Sequence, residues 1–321
     1  MSSRFRIEKT GLFTTVQDAG RPGYRGLGVP IGGAADRRSM AIANALAGND
    51  ATEPALELTR LGATILALGP LYVALAGAPT EARLEFASGQ SRKLPAVGAF
   101  PLQPGDRLIM GAIQNGCRAY LAVHGGIQAP STLGSCSSET PITPNAEFEA
   151  QSATGPFLHL RSERIEFAPG EPLELRFFNG PDYEPGTHPP LDGAILTLGR
   201  EWSRMGISLA SDQEQNRTDY PLEPNRLSTP VAPGAIQWTG SRWLILGPAG
   251  GTMGGYPHIG QFVRTNLDRL AQCLPGQKIR LASVTIEEAR SMDESMHVAL
   301  TQRILIIRTL VSSEIRPVLA S

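Results

Sequence analysis

Lysine is nearly missing from this chain of 321 residues: Lys9, Lys93 and Lys278 are the three copies, and the other fixed cations are arginines. A glycine-rich stretch without lysine cannot make the phosphate cradle of the G-x-x-x-x-G-K-[ST] type, and no such pattern occurs anywhere. Schiff-base chemistry is disfavoured on the same count, whereas planar, two-pronged recognition of carboxylates by arginine is well supplied. Cysteine is equally scarce. Cys117, Cys136 and Cys273 are odd in number, far apart and without C-x-x-C or Cys/His ligand spacing, so neither a disulfide framework nor a metal site is expected and a reducing cytoplasm fits. No basic run reaches five residues and the formal net charge is -1, which removes nucleic acid as a leading partner. The opening "MSSRFRIEKTGLFTT" lacks the apolar core of a signal peptide. One long uncharged run, residues 61–80, is broken by Gly69-Pro70 and reads as two buried strands joined by a turn rather than as a membrane span.

What remains is a packable composition, 41% apolar and 18% charged, long enough for two domains. Short apolar runs bounded by Pro and Gly recur, among them "ATILAL", "LYVALAG", "AYLAVHGG", "LELRFF", "WLILGP" and "IRLASV". Their length and spacing predict a mostly β architecture of barrels or sandwiches. Helices are expected over Arg37–Ala47, with Asp36 as N-cap and Gly48 as stop, over Gln261–Cys273, and from Thr285, where Glu288 completes a capping box. Pro-Gly turns at 104, 169 and 275 each precede a strand, a weak internal repeat. Apolar periodicity fades between 145 and 170, giving an N-terminal domain over 1–155, a second over 156–290 and a C-terminal helical extension over 291–321.

Chemistry concentrates in two regions. In residues 20–48 seven glycines surround Gln17, Asp18, Arg21, Tyr24, Arg25, Asp36, Asn44 and Asn49, a composition that suits a pocket wall and a long structural loop alike. Gly26, Gly28 and Gly32 miss the dinucleotide spacing by one residue. The second region joins Ser203-Arg204 of "SRMGISL" to "GAIQW" and "GPAGGTMGGYP", with Arg204 placed to meet a carboxylate or phosphate or to sit in a solvated turn. His124 and His258 lie beside glycines, where a histidine serves proton transfer or structure. Ser135 has no G-x-S-x-G elbow to make it a nucleophile.

Taken in order, "GLFTTVQDAGRPGYRGLGVPIGGAADRRSMAIANALAGN", "YLAVHGGIQAPSTLGS", "FFNGPDYE", "SRMGISL", "PGAIQW" and "GGTMGGYPHIG" resemble the allophanate hydrolase subunit 2 family. That family includes one half of the carboxyltransferase domain of urea carboxylase, and also the C subunit of 5-oxoprolinase. The resemblance implies two cyclophilin-like β-barrel domains with a few short helices. It also implies a cyclophilin-fold partner of the B-subunit type, a further protein of the A-subunit type, and an ATP-dependent opening of the lactam of 5-oxoproline to glutamate. The substrate would be a small anion or amide. By residue, it marks Asp18, Asp36 and Tyr256 as catalytic and Gln17, Arg21, Tyr24, Arg204, Gln237, Thr252, Gly254 and Gly255 as substrate-binding, with Arg21 or Arg204 on the carboxylate. Departures accompany the matches. Ala249 and Gly251 stand where family members carry an acid and an amide, Ile207 and Ser208 replace Tyr and Arg, and Cys136 replaces Arg. These substitutions imply a different substrate or a binding subunit without catalysis. A carboxyltransferase role would need a biotin carrier from elsewhere, because no M-K-M segment is present.

Overall fold

In the computed structural model, described for residues 2–160, 171–211, 220, 222, 225–312 and 314–317, the short apolar runs are strands and the chain is mostly β, with three α-helices among the described residues. Two compact units emerge. One comprises residues 1–20, 36–165 and 299–321, the other residues 21–35 and 166–298. The units are therefore not the consecutive stretches expected. Residues 21–35 go with the second because their backbone bonds there, Gly32 N–H donating to Pro248 O at 2.9 Å.

The first unit contains two six-stranded sheets around one core. One orders Glu147–Gln151, Ser2–Lys9, Thr64–Ala67, Arg107–Ile113, Thr80–Glu85 and Ser91–Lys93; the other orders Leu158–His159, Gly98–Leu102, Leu71–Gly77, Arg118–Val123, Ala55–Thr59 and Phe13–Gln17. Both send apolar side chains inward: Phe5, Ile7 and Ile65 from the first meet Leu56, Val73, Phe100 and Leu121 from the second in a single buried cluster. The Gly69-Pro70 turn does break the run 61–80 into two strands, and it carries the chain from one sheet to the other. A β-carbon on Gly69 would lie 2.4 Å from Ser3 Oγ, so a larger residue at this crossover would require the Ser3 hydroxyl to turn away.

The second unit is a closed seven-stranded barrel in the order Leu173–Asn179, His258–Phe262, Ala235–Trp238, Trp243–Leu246, Gly206–Ser211, Ile195–Trp202 and Lys278–Ser283. Its first and last strands pair parallel, Leu173 opposite Ile279 through Phe177 opposite Ser283, and this pairing closes the ring. Alternation sets the facing: Leu173, Leu175 and Phe177 are buried while Glu174 is exposed. Trp238 and Trp243, 5.0 Å apart between ring centroids, fill one end of the core.

Helix α1, Arg37–Leu46, starts where Asp36 accepts the Ser39 N–H at 2.9 Å, and Gly48 follows it at φ +75°. The second helix, α2, is Arg264–Leu270, three residues shorter at its start than the apolar spacing implies. Gln261 and Phe262 belong instead to a barrel strand, paired with Phe178 and Phe177, so ladder hydrogen bonds override the helical pattern. At Thr285 the expected capping box is complete: Thr285 N–H donates to Glu288 Oε2 at 2.8 Å and Glu288 N–H to Thr285 Oγ1 at 3.1 Å. The helix it starts, α3, runs Ile286–Ser312 for 27 residues, much longer than the short helices the family resemblance implies. No helix among the described residues is long and apolar enough to cross a membrane.

Candidate functional site

Within the first unit, the strand Phe13–Gln17 pairs with Ala55–Thr59 and delivers Gln17 and Asp18 to a buried cluster. Asp18 Oδ1 accepts from Gly20 N–H and from Ser135 Oγ, both at 2.7 Å, and Oδ2 accepts from Cys136 N–H at 2.6 Å. Gln17 Nε2 donates to Thr15 Oγ1 and to Ser138 O, while its Oε1 accepts from Ser137 Oγ at 2.6 Å. Both side chains thus tie the motif strand to the segment 135–138. Asp36 caps α1 and also accepts from Ser39 Oγ through Oδ2 at 2.6 Å. Its own N–H donates to Tyr120 Oη at 2.8 Å, and that hydroxyl donates to Glu57 Oε2 at 2.7 Å. Glu57 in turn forms an ion pair with Arg118 at 3.4 Å, both side chains being buried. Burial first, and then the Glu57 charge, push the Tyr120 phenol well above its usual range, so it stays a neutral donor. His124 is structural as well: its Nδ1 lies 2.8 Å from Ala47 O, and a carbonyl can only accept, so Nδ1 carries the hydrogen.

Three glycine-rich segments are brought together within the second unit. The loop 21–35 is closed at its base by Arg21 N–H donating to Ile31 O at 2.8 Å, and its far end is held by Arg204 Nη2 donating to Gly33 O at 2.6 Å. Arg204 is buried, and its own backbone carbonyl accepts from Ala249 N–H at 3.1 Å. A β-carbon on Gly247 would sit 2.1 Å from that same carbonyl oxygen, which is why glycine opens this connection after the strand Trp243–Leu246. Further along, Thr252 O accepts from Val231 N–H at 3.0 Å and Gly254 pairs with Thr229. Gln237 Nε2 donates to Tyr256 O at 3.2 Å and would be 2.2 Å from a β-carbon on Gly254. Gly255 and the ring of Tyr256 are exposed. Tyr24 precedes a short 3-10 turn over Arg25–Leu27. Among the predicted residues, then, Arg21, Tyr24, Arg204, Gln237, Thr252, Gly254, Gly255 and Tyr256 belong to the second unit, and Gln17, Asp18 and Asp36 to the first.

Beside Gln237 lies an acid–base cluster. Asp182 Oδ2 accepts from the backbone N–H of His258 at 2.8 Å and pairs with Arg226 Nη2 at 2.5 Å. Burial works to raise the Asp182 carboxyl, but the His258 N–H and Arg226 outweigh it and hold the group below the usual carboxylate range. For His258 burial wins over the attraction of Asp182, pushing the imidazole below its ordinary 6.5. Its Nε2 is out of water and has no hydrogen-bond partner among the described residues. Because the unfolded chain takes up this proton more readily than the folded one, the contribution of neutral His258 to stability is complete above pH about 6.5 and declines as pH falls below it. The wild-type Tm should therefore drop more steeply than that of His258→Gln between pH about 6.5 and 5. Parallel slopes would assign the acid limb to other groups.

Comparison with known proteins now adds to the geometry. Residues 27–283 match the family model for the carboxyltransferase domain, subdomain A and B. This chain belongs to that carboxyltransferase-domain family. The C subunit of 5-oxoprolinase from Escherichia coli K12 is 31% identical over 296 residues, covering 88% of this chain and 92% of that protein. The urea amidolyase of Saccharomyces cerevisiae is 28% identical over 92% of this chain, which corresponds to 17% of that much longer protein. Among solved structures, TTHA0988 superposes with a TM-score of 0.76 at 27% identity, over 88% of this chain and 56% of that one. The urea amidolyase of K. lactis, at 23% identity and a TM-score of 0.76, covers 92% of this carboxyltransferase-domain chain and 20% of its own, a likeness of fold. Gln17, Asp18, Arg21, Tyr24 and Arg25 precede the matched interval, and all of α3 follows it.

Several functional-looking residues escape a reading of motifs. Glu57 and Arg118 sit inside the strands "ALELT" and "RAYLAV", and a lone charge in an otherwise apolar strand is the signal that a buried pair is present. Asp182 and Arg226 are 44 positions apart, and nothing local links them.

Proposed function

We propose that this chain is one subunit of an ATP-dependent amide or lactam hydrolase of the 5-oxoprolinase type, acting with a related-fold partner of the B-subunit type and a protein of the A-subunit type. The observation that carries the reading is the end-to-end correspondence with the C subunit of 5-oxoprolinase, 88% of this chain against 92% of that protein. An unstrained lactam resists water, and hydrolysis of ATP in the complex would supply activation of the amide oxygen. The nucleotide is assigned to the assembled complex, since the glycine-rich segments here carry no lysine to hold a phosphate chain.

On this reading the chain's own residues divide their labour. Asp18, Asp36 and Gln17 position the motif strand and the start of α1, their polar atoms being engaged within the first unit. Arg204 holds the loop 21–35 in place. Thr252 and Tyr256 stand on either side of the exposed backbone of Gly255, where a small substrate can approach closely, and Tyr256, 41% exposed, is the candidate for moving a proton. A carboxyltransferase role is the second reading, favoured by the family model itself.

Co-expression with homologues of the A-type and B-type partners and an assay of 5-oxoproline-dependent ATP hydrolysis with glutamate release test the first reading. Product is the expected result. A stable complex without turnover would shift the assignment to another substrate or to a binding subunit.

A further inference from the structure

Arg25 stands out among the charged groups of the second unit. Its Nη1 and Nη2 are both out of water, and neither has a hydrogen-bond partner among the described residues. A guanidinium carries five donors and never loses its proton under ordinary conditions, so taking two of its nitrogens out of water without an acceptor is unfavourable, even though the residue as a whole is only half-buried. Burial alone acts on its proton affinity, lowering it, with no carboxylate opposing. Other arginines of the second unit are differently placed: Arg204 donates to Gly33 O, and Arg226 pairs with the Asp182 carboxylate.

The loop around Arg25 is built to hold a shape while leaving its backbone bare. Arg21 N–H to Ile31 O closes the base, Leu27 N–H donates to Tyr24 O at 3.0 Å, and Gly28 N–H donates to Arg25 O at 3.0 Å. Gly23 and Gly28 take φ of +94° and +79°, and added β-carbons at Gly23, Gly26 and Gly28 would meet nothing within 4 Å. Around Gly23, Gly26 and Gly28 the segment is therefore held by hydrogen bonds rather than by packing on the glycines, and its far end is held by the Arg204 clamp. A small ligand can come close to it from the glycine side.

We propose that Arg25 is the anion-recognition group of the second unit, receiving the carboxylate of a small ligand in a two-pronged contact. An arginine fork matches the two oxygens of a carboxylate, and the desolvation already incurred by the empty fork makes the contact stronger than one in water. The identity of the carboxylate as that of 5-oxoproline rests on the 5-oxoprolinase-type reading; the anion site itself does not.

Binding to the full-length chain tests both, using 5-oxoproline, 2-pyrrolidinone as the same lactam without its carboxylate, and glutarate as a carboxylate without the lactam. Wild type should bind 5-oxoproline, Arg25→Gln should weaken it about 10- to 100-fold, and 2-pyrrolidinone should not distinguish the two proteins. Without ligand, Arg25→Gln should melt at or above the wild-type Tm, because a half-buried guanidinium whose fork has no acceptor among the described residues has been removed; a brace would melt lower. If that variant melts lower, Arg25→Lys decides: weakened carboxylate binding in a stably folded protein supports the site, and undiminished binding overturns it. Arg25-dependent binding of glutarate with none of 5-oxoproline would keep the anion site and remove the 5-oxoprolinase assignment. Equal carboxylate affinity in wild type and Arg25→Gln, or no carboxylate binding at all, overturns the proposal.

Discussion

Replacing Arg118 by methionine should cost the first unit about 3–5 kcal/mol, because Glu57 would be left as an uncompensated charge with no exposed surface. At this chain length the Tm should fall on the order of 10 °C. The damage should extend to α1, since Glu57 accepts from Tyr120, and Tyr120 accepts from the Asp36 N–H at the start of that helix. Substituting the pair together, Arg118→Met with Glu57→Leu, should recover most of the loss, as an apolar replacement of a buried ion pair often does. Calorimetric melting of the two single variants and the double variant checks this. A double variant as unstable as either single would show that the charges do more than neutralise one another.

Asp18→Ala should be nearly as costly, about 4 kcal/mol, and for a different reason. Three donors converge on that carboxylate, two of them backbone N–H groups of Gly20 and Cys136, and alanine would leave both without an acceptor. Asp18→Asn should be milder, because its amide oxygen still accepts from two donors while its NH₂ opposes the third. If Asp18 positions the segment, activity of the assembled complex should track the folded fraction across both variants. A stably folded Asp18→Asn with turnover reduced more than about 100-fold would instead make the carboxylate part of the chemistry.

Much of the fold was legible because its signals are local. Strand runs between Pro and Gly, the Asp36 cap, the Gly69-Pro70 break and the Thr285/Glu288 box each specify a structure within a few residues, and each is found where the pattern places it. Helix α2 begins later than its apolar spacing suggests because Gln261 and Phe262 satisfy two periodicities, and strand pairing with Phe178 and Phe177 decides between them. The site was legible as composition rather than as roles. "VQDAGRPGYRG" announces a polar, glycine-rich segment, yet nothing in it says that Asp18 binds backbone at residues 20 and 136. Nor does it tell that both terminal nitrogens of Arg25 lack a hydrogen-bond partner among the described residues. Those distinctions depend on partners more than a hundred positions away, or on burial, and neither is written in spacing.

The parallel closure of the barrel carries a consequence for how the protein is made. Leu173–Asn179 completes the ring only by pairing with Lys278–Ser283, about a hundred residues later, and the loop 21–35 waits for Arg204 and Pro248. Contacts so distant in sequence form slowly and close large loops. Until the ribosome has released residue 283 the nascent second unit holds two unpaired strand edges, at Leu173–Asn179 and Ile195–Trp202, and through that interval it is exposed to association with other chains.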